Sequence, residues 1–252
     1  MAKILMPLPD RDFDVTEAAV PWKLFTEAGH EVVFATENGD AAAADPRLID
    51  GVIFGQLGAE PEPLAFYREM IEDPAYRAPV KWADLGAGEL ASFDALWLTG
   101  GHASGMTQYL AGASLHAAVA RFWESDKPVA AICHGVLVLA RAQGPDGRSL
   151  LAGRRTTCLP KYMERVAYFS TAWKLGRYYR TYPAYVEEEV RASLGETGHF
   201  ERGPIHLFTR GSRGDDRAAF VVEDGPLLSG RWPGDAYLLA KKMLARLNDV
   251  TS

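Results

Sequence analysis

Apolar positions along the chain alternate between short continuous runs and helical spacings. Lys3–Met6 is a short apolar run that reads as a buried strand. From Thr16 to Ala28 the apolar residues Ala18, Val20, Pro21, Leu24, Phe25 and Ala28 recur at helical spacing, and Gly29 stands where a helix-ending glycine belongs. Glu31–Ala35 is a second strand, closed by Asn38 and Gly39. Strand, helix and strand within forty residues predict a parallel pairing. Asp45–Leu90 breaks this rhythm with five prolines (46, 61, 63, 74 and 79), several glycines and one helical stretch, Leu64–Ile71. It reads as an insertion or cap on the core. The alternation then resumes with strands at Ala95–Thr99 and Val129–Ile132 and helices at Ser114–Glu124 and Gly135–Ala142. A short strand is expected at Arg155–Cys158, and a helix opening at Thr181 and ending near Gly195. Late strands are expected at Ile205–Thr209, Ala219–Glu223 and Leu227–Ser229, before a final helix at Asp235–Leu247. The pattern predicts one doubly wound α/β domain over 1–252, with the insertion at 45–90 and an aromatic cap at 160–200. In such a fold the site lies beyond the C-terminal strand ends.

The stretch richest in chemistry is Lys127–Ala140, where an apolar strand runs without a loop into an apolar helix. Cys133 and His134 sit at that junction, flanked by Ala131 two before the cysteine and Gly135 two after. Small residues on both sides of a polar one are the signature of a nucleophile elbow, whose sharp turn leaves no room for larger neighbours. A thiol at the positive end of the next helix is expected to favour its thiolate. The His134 N–H is then the natural oxyanion donor. The alternative is that Cys133 is a small buried hydrophobe, as most free cysteines are. Gly100 and Gly101 follow a strand one unit earlier, where paired glycines can turn an N–H inward. Read alone, they are equally a tight turn. His102, beside them, either contacts substrate or caps that turn.

Composition narrows the field of functions. Apolar residues make up 48% and charged residues 24%, which excludes disorder and fibrous repeats. A net charge of −6 gives no reason to expect nucleic acid as partner. No apolar run approaches the roughly 18 residues of a membrane span, and the N-terminus lacks a signal-peptide pattern, so a cytoplasmic location is expected. Two cysteines are too few for a disulfide framework, although one bridge between Cys133 and Cys158 stays open. No phosphate-binding loop occurs, and the histidines show no metal-ligand spacing, so neither cofactor nor metal is expected.

Thr99–His102, Ala131–Gly135 and Glu17–Pro21 together resemble the ThiJ/PfpI superfamily, flavodoxin-like proteins related to class I glutamine amidotransferases. The insertion resembles the large heat-shock-31-type branch, whose members are glyoxalases or holding chaperones. The resemblance implies that Cys133 is the nucleophile and His134 its base partner. It also implies that Glu17 hydrogen-bonds the sulfur and acts as acid/base, and that the N–H groups of Gly101 and His134 form the oxyanion hole. Gly100 and His102 are weaker candidates for the substrate pocket. A carboxylate after the next strand orients the histidine in that branch, and Glu164 falls in that slot, though its neighbours depart from the usual threonine-containing acidic pattern. A solvated helix carboxylate is the other reading of Glu164.

The implied activity is glutathione-independent conversion of an oxoaldehyde to a 2-hydroxy acid, a small-molecule substrate, with a homodimer as the expected assembly. Amide or peptide hydrolysis by the cysteine and holding-chaperone action are the alternatives. A glutaminase would need His-x-Glu after the last core strand; His199–Glu201 has that spelling, but the corresponding place, Ser229–Asp235, holds no histidine. The eight aromatics between Tyr162 and Tyr185, interleaved with basic residues, read as a pocket wall or an interface.

Overall fold

A computed structural model describes residues 1–51, 58–180, 182–206 and 209–250. Seven strands form the central sheet: β1 (Lys3–Pro7), β2 (Glu31–Thr36), β3 (Val80–Lys81), β4 (Ala95–Leu98), β5 (Val129–Ile132), β6 (Val221–Asp224) and β7 (Leu227–Gly230). Their spatial order is β6-β7-β5-β4-β1-β2-β3. Every neighbouring pair is parallel except β6 and β7, which the two residues Gly225 and Pro226 join as an antiparallel hairpin. All residues of β4, β5 and β7 are buried, as strands covered on both faces must be.

Two helical layers supply that cover. In one, α1 (Val15–Glu27) packs on α2 (Pro61–Met70) and on the C-terminal α7 (Ala236–Val250). In the other, α3 (Ala113–Trp123) packs on α4 (Val136–Arg141), which also meets α6 (Val186–Ser193). The remaining long helix, α5, covers Lys161–Leu175.

Five expectations change here. The 45–90 segment is more than a cap, because Val80 and Lys81 pair with Ala35 and Thr36 at the sheet edge and Trp82 is buried beside them. Its prolines at 46, 61 and 74 open helices, where a missing N–H costs nothing; Asp45 and Asp73 cap two of them. The aromatic segment contains α5, whose polar and aromatic surface hid its periodicity. The helix expected from Thr181 begins only at Val186, because Tyr185 supplies its N-cap; Thr181 itself lies outside the described residues. The expected Ile205–Thr209 strand falls partly on 207–208, also outside them, and Ile205, His206 and Thr209 are irregular. Arg155 and Thr156 do form a strand, but it pairs with His199–Phe200 away from the central sheet.

Register decides which loops meet. Leu98 is level with Ala131, and Gly230 with Ile132. The loops leaving β4, β5 and β7 therefore emerge side by side, carrying Gly100–His102, Cys133–His134 and Arg231–Asp235.

Candidate functional site

Cys133 has φ +57, a left-handed conformation that a non-glycine residue rarely adopts. It follows the extended Ile132 and opens a tight turn, Cys133–Gly135, that leads into α4. A Cβ at Gly135 would collide with the Leu98 and Thr99 carbonyls, so the small residue after the cysteine is a steric requirement. Cys133 is only 4% exposed, and the site is closed over it.

Glu17 reaches the thiol from the first turn of α1. Asp14 caps this helix by accepting from the N–H groups of Thr16 (2.8 Å) and Glu17 (3.1 Å). Four residues on, Pro21 has no N–H to give the Glu17 carbonyl. That carbonyl instead accepts from Trp97 Nε1 (3.0 Å) and Thr99 Oγ1 (3.3 Å), which pins the helix against β4 at this residue. The Glu17 side chain is fully buried; its Oε2 accepts from the Gly100 N–H (3.0 Å), and the carboxyl is hydrogen-bonded to the Cys133 thiol. A side chain at Gly100 would meet Glu17 Oε2 at 2.5 Å and Cys133 Cβ at 2.7 Å. Gly100 thus supplies closeness and holds the carboxyl.

These surroundings set the proton positions. Burial, then the charge of nearby Asp14, pushes the Glu17 carboxyl well above its ordinary range, so it is protonated at neutral pH. Burial pushes the Cys133 thiol well up as well, and the charge of nearby Asp14 adds to it. Burial, then His102 and Arg141, holds His134 well below the usual imidazole range. The resting pair is therefore thiol and neutral imidazole, with His134 Nδ1 3.5 Å from Sγ. The expected stabilised thiolate is corrected by this environment: a six-residue helix behind a tight turn does not offset the burial of the sulfur and the nearby charge of Asp14.

Asp14 is itself raised to about 6, by burial against the pull of Arg210 and its two backbone donors. The folded state thus binds its proton more tightly than the unfolded chain, and stability falls as pH rises from about 4 through 6. Asp14→Asn keeps the cap and removes this titration. Its stability relative to wild type is expected to grow across that interval by up to about 3 kcal/mol. Denaturant melts at the two pH values check this, and a pH-independent difference contradicts it.

His102, from the loop after β4, stacks its ring 5.0 Å from that of His134 and 5.3 Å from that of Tyr179. Burial and Arg180 lower its pKa to about 4. Glu164 is buried at the start of α5, not solvated, and one of its oxygens lies within 4.8 Å of ring nitrogens of His102 and His134. Its oxygens accept from Arg180 Nη1 (2.9 Å) and from the Val186 N–H (3.1 Å). Burial raises it to about 7 against the pull of these donors.

Residues that sequence spacing missed close the pocket. Tyr178 and Tyr179 donate to the two oxygens of Asp45, at 2.9 and 3.4 Å, and lay Tyr179 over His102. Asp14 carried a legible signal, an acid three residues before Glu17 at a helix start; Tyr179 and Arg180 belong to the aromatic and basic segment read as a pocket wall or interface, with no partner assigned, and Asp45 carried no signal, since its partners are remote in sequence.

At the end of β7, Arg231 and Asp235 form a bidentate ion pair with both side chains fully buried. This is where an amidotransferase would hold its histidine. His199 and Glu201 instead flank a short peripheral strand, where Glu201 pairs with Arg155. Cys158 is buried and both cysteines are free thiols, so no bridge joins them. His30 and His116 are half-buried; His30 Nδ1 accepts from the Ala2 N–H at 3.0 Å. Among the described residues no helix is long and apolar enough to cross a membrane.

Comparison with known proteins agrees with this architecture. A protein of Schizosaccharomyces pombe, described as uncharacterized, is 28% identical over 245 residues, covering 96% of this chain and 82% of its own. A glutathione-independent glyoxalase of the same yeast is 27% identical over 159 residues, 62% of each chain. Among solved structures, glyoxalase III from Candida albicans superposes with TM-score 0.69 at 19% identity over 97% of both chains. DJ-1beta of Drosophila melanogaster gives 0.56 at 16%, covering 99% of this chain and 97% of its own. The model of the ThiJ/PfpI family-like proteins matches residues 8–204 of the 252, and the chain belongs to that family.

Proposed function

We propose that the protein is a cysteine-dependent enzyme that converts small α-oxoaldehydes to 2-hydroxy acids without glutathione. The observation that carries this reading is the buried Glu17 carboxyl held against a thiol at a strained elbow. That pair supplies a nucleophile and an acid/base group in one dry pocket, and the similarity to a glyoxalase sequence points the same way.

In the proposed reaction, Cys133 Sγ bonds to the aldehyde carbon and the thiol proton passes by way of His134 to the aldehyde oxygen, giving a hemithioacetal. Removal of the aldehyde carbon's proton and its return to the neighbouring carbon, through an enediol, leaves the thioester of the 2-hydroxy acid. Water then cleaves the C–S bond, restoring the thiol and releasing the acid; one water is consumed and no electron leaves the substrate. Glu17, protonated at rest, gives its proton to one oxygen and takes one back from the other. The Gly100 N–H is committed to Glu17, so Gly101 and His134 are the candidate oxyanion donors.

Glu17→Gln keeps the shape and loses the transferable proton. Turnover is expected to fall by about 10²–10⁴-fold with folding intact. Steady-state consumption of methylglyoxal tests this, and a variant within about threefold of wild type contradicts the role given to Glu17.

Holding-chaperone action, the second reading, is favoured by Val166, Phe169 and Trp173, spaced along α5 and exposed, the last at 75%, with Ile205 also exposed. Suppression of client aggregation by a protein inactive on oxoaldehydes would select it.

A further inference from the structure

We propose that His102, His134 and Glu164 form a binding site for a divalent transition metal of the zinc class, distinct in chemistry from the thiol reaction and exclusive with it. The three residues come from the loop after β4, the elbow after β5 and the first turn of α5. One donor atom from each lies within 4.8 Å of the other two, and among the described residues this is the one such group of three. Two imidazoles and a carboxylate suit zinc and its neighbours in the first transition row. Zinc bonds of about 2.0–2.2 Å place donors roughly 3.5 Å apart, so a contraction of about an ångström by side-chain rotation closes the set.

Outer contacts already aim the ligands, as they do in built metal sites. Glu164 is steadied through both oxygens by Arg180 and the Val186 N–H, and the His102 ring is in tilted contact with those of Tyr179 and His134. His134 turns Nδ1 to the Cys133 sulfur, which leaves Nε2 for the ion. The Arg180 guanidinium is the opposing feature: it shares Glu164 with any incoming cation and weakens the site relative to a structural zinc centre. The spacings, 32 residues from His102 to His134 and 30 from there to Glu164, lie outside any local ligand motif.

An ion on His134 Nε2 leaves Nδ1 protonated and unable to take the Cys133 proton, so occupation stops the oxoaldehyde reaction; this consequence alone rests on the function proposed above. The test is titration of the whole protein with Co²⁺, read by its visible d–d absorption. One Co²⁺ per chain is expected, displaced by Zn²⁺, with affinity lowered at least about tenfold in His102→Ala and in Glu164→Gln. Circular dichroism establishes that each variant scored keeps the wild-type fold. No band in the wild type, or a band unchanged in both variants, overturns the site; so does a sulfur-to-cobalt charge-transfer band that disappears in Cys133→Ser. Because the titration uses no substrate, it stands or falls apart from the enzymatic reading. Loss of methylglyoxal turnover with Zn²⁺, restored by a chelator, then tests the exclusion.

Discussion

Cys133→Ala and Cys133→Ser are expected to lose oxoaldehyde turnover by at least about 10³-fold while keeping the fold, since a catalytic unit fails when its nucleophile is removed. The backbone adds a second, independent expectation. At φ +57 the residue is held in a left-handed conformation that costs a Cβ-bearing side chain about 1–2 kcal/mol and glycine little. Cys133→Gly should therefore be as inactive as Cys133→Ala yet more stable than it by about 1 kcal/mol. Steady-state rates and denaturant midpoints of the three variants decide both points. An alanine variant more stable than the glycine one would show that the elbow stores no strain; turnover near wild type in the serine variant would remove Cys133 from the chemistry.

The second large effect lies beneath the site. Asp235→Ala is expected to cost about 3–5 kcal/mol, because it strands the Arg231 guanidinium in a fully buried position. Asp235 accepts from Arg231 Nε (2.9 Å), Nη2 (3.0 Å) and backbone N–H (2.9 Å), and from the Phe220 N–H (2.8 Å). Arg231 also donates to the Pro204 carbonyl at 2.6 Å, so the pair ties three segments together below the elbow. Replacing both partners with apolar residues, Arg231→Met with Asp235→Leu, should recover most of the loss, since the desolvation penalty disappears with the charges. Urea melts of the single and double variants test this. A single variant within about 1 kcal/mol of wild type would mean that water reaches the pair.

Most strands of the sheet were legible in the sequence because they are short apolar runs separated by helical spacings, and these imply parallel crossovers. The elbow was legible for a local reason: Ala131, Cys133 and Gly135 are small where the backbone turn admits nothing larger, and Gly135 abuts the Leu98 and Thr99 carbonyls. Pro21 was visible as a helix position, but its effect on the Glu17 carbonyl needed Trp97 and Thr99 in place. Val80–Lys81 was hidden because a two-residue edge strand leaves no periodicity, and α5 because its exposed side carries Val166, Phe169 and Trp173 in place of polar residues. The ionisation of the thiol was misjudged from sequence, since helix direction is local whereas burial and the approach of the Asp14 charge are tertiary. Pairings across more than a hundred residues, such as Asp45 with Tyr178 and Tyr179, leave no mark on either segment alone.

The central claim is tested most directly by proton nuclear magnetic resonance of methylglyoxal mixed with the wild-type protein in glutathione-free buffer. Lactate should accumulate, one molecule for each methylglyoxal consumed. Methylglyoxal that persists, or that disappears without lactate, would contradict the account.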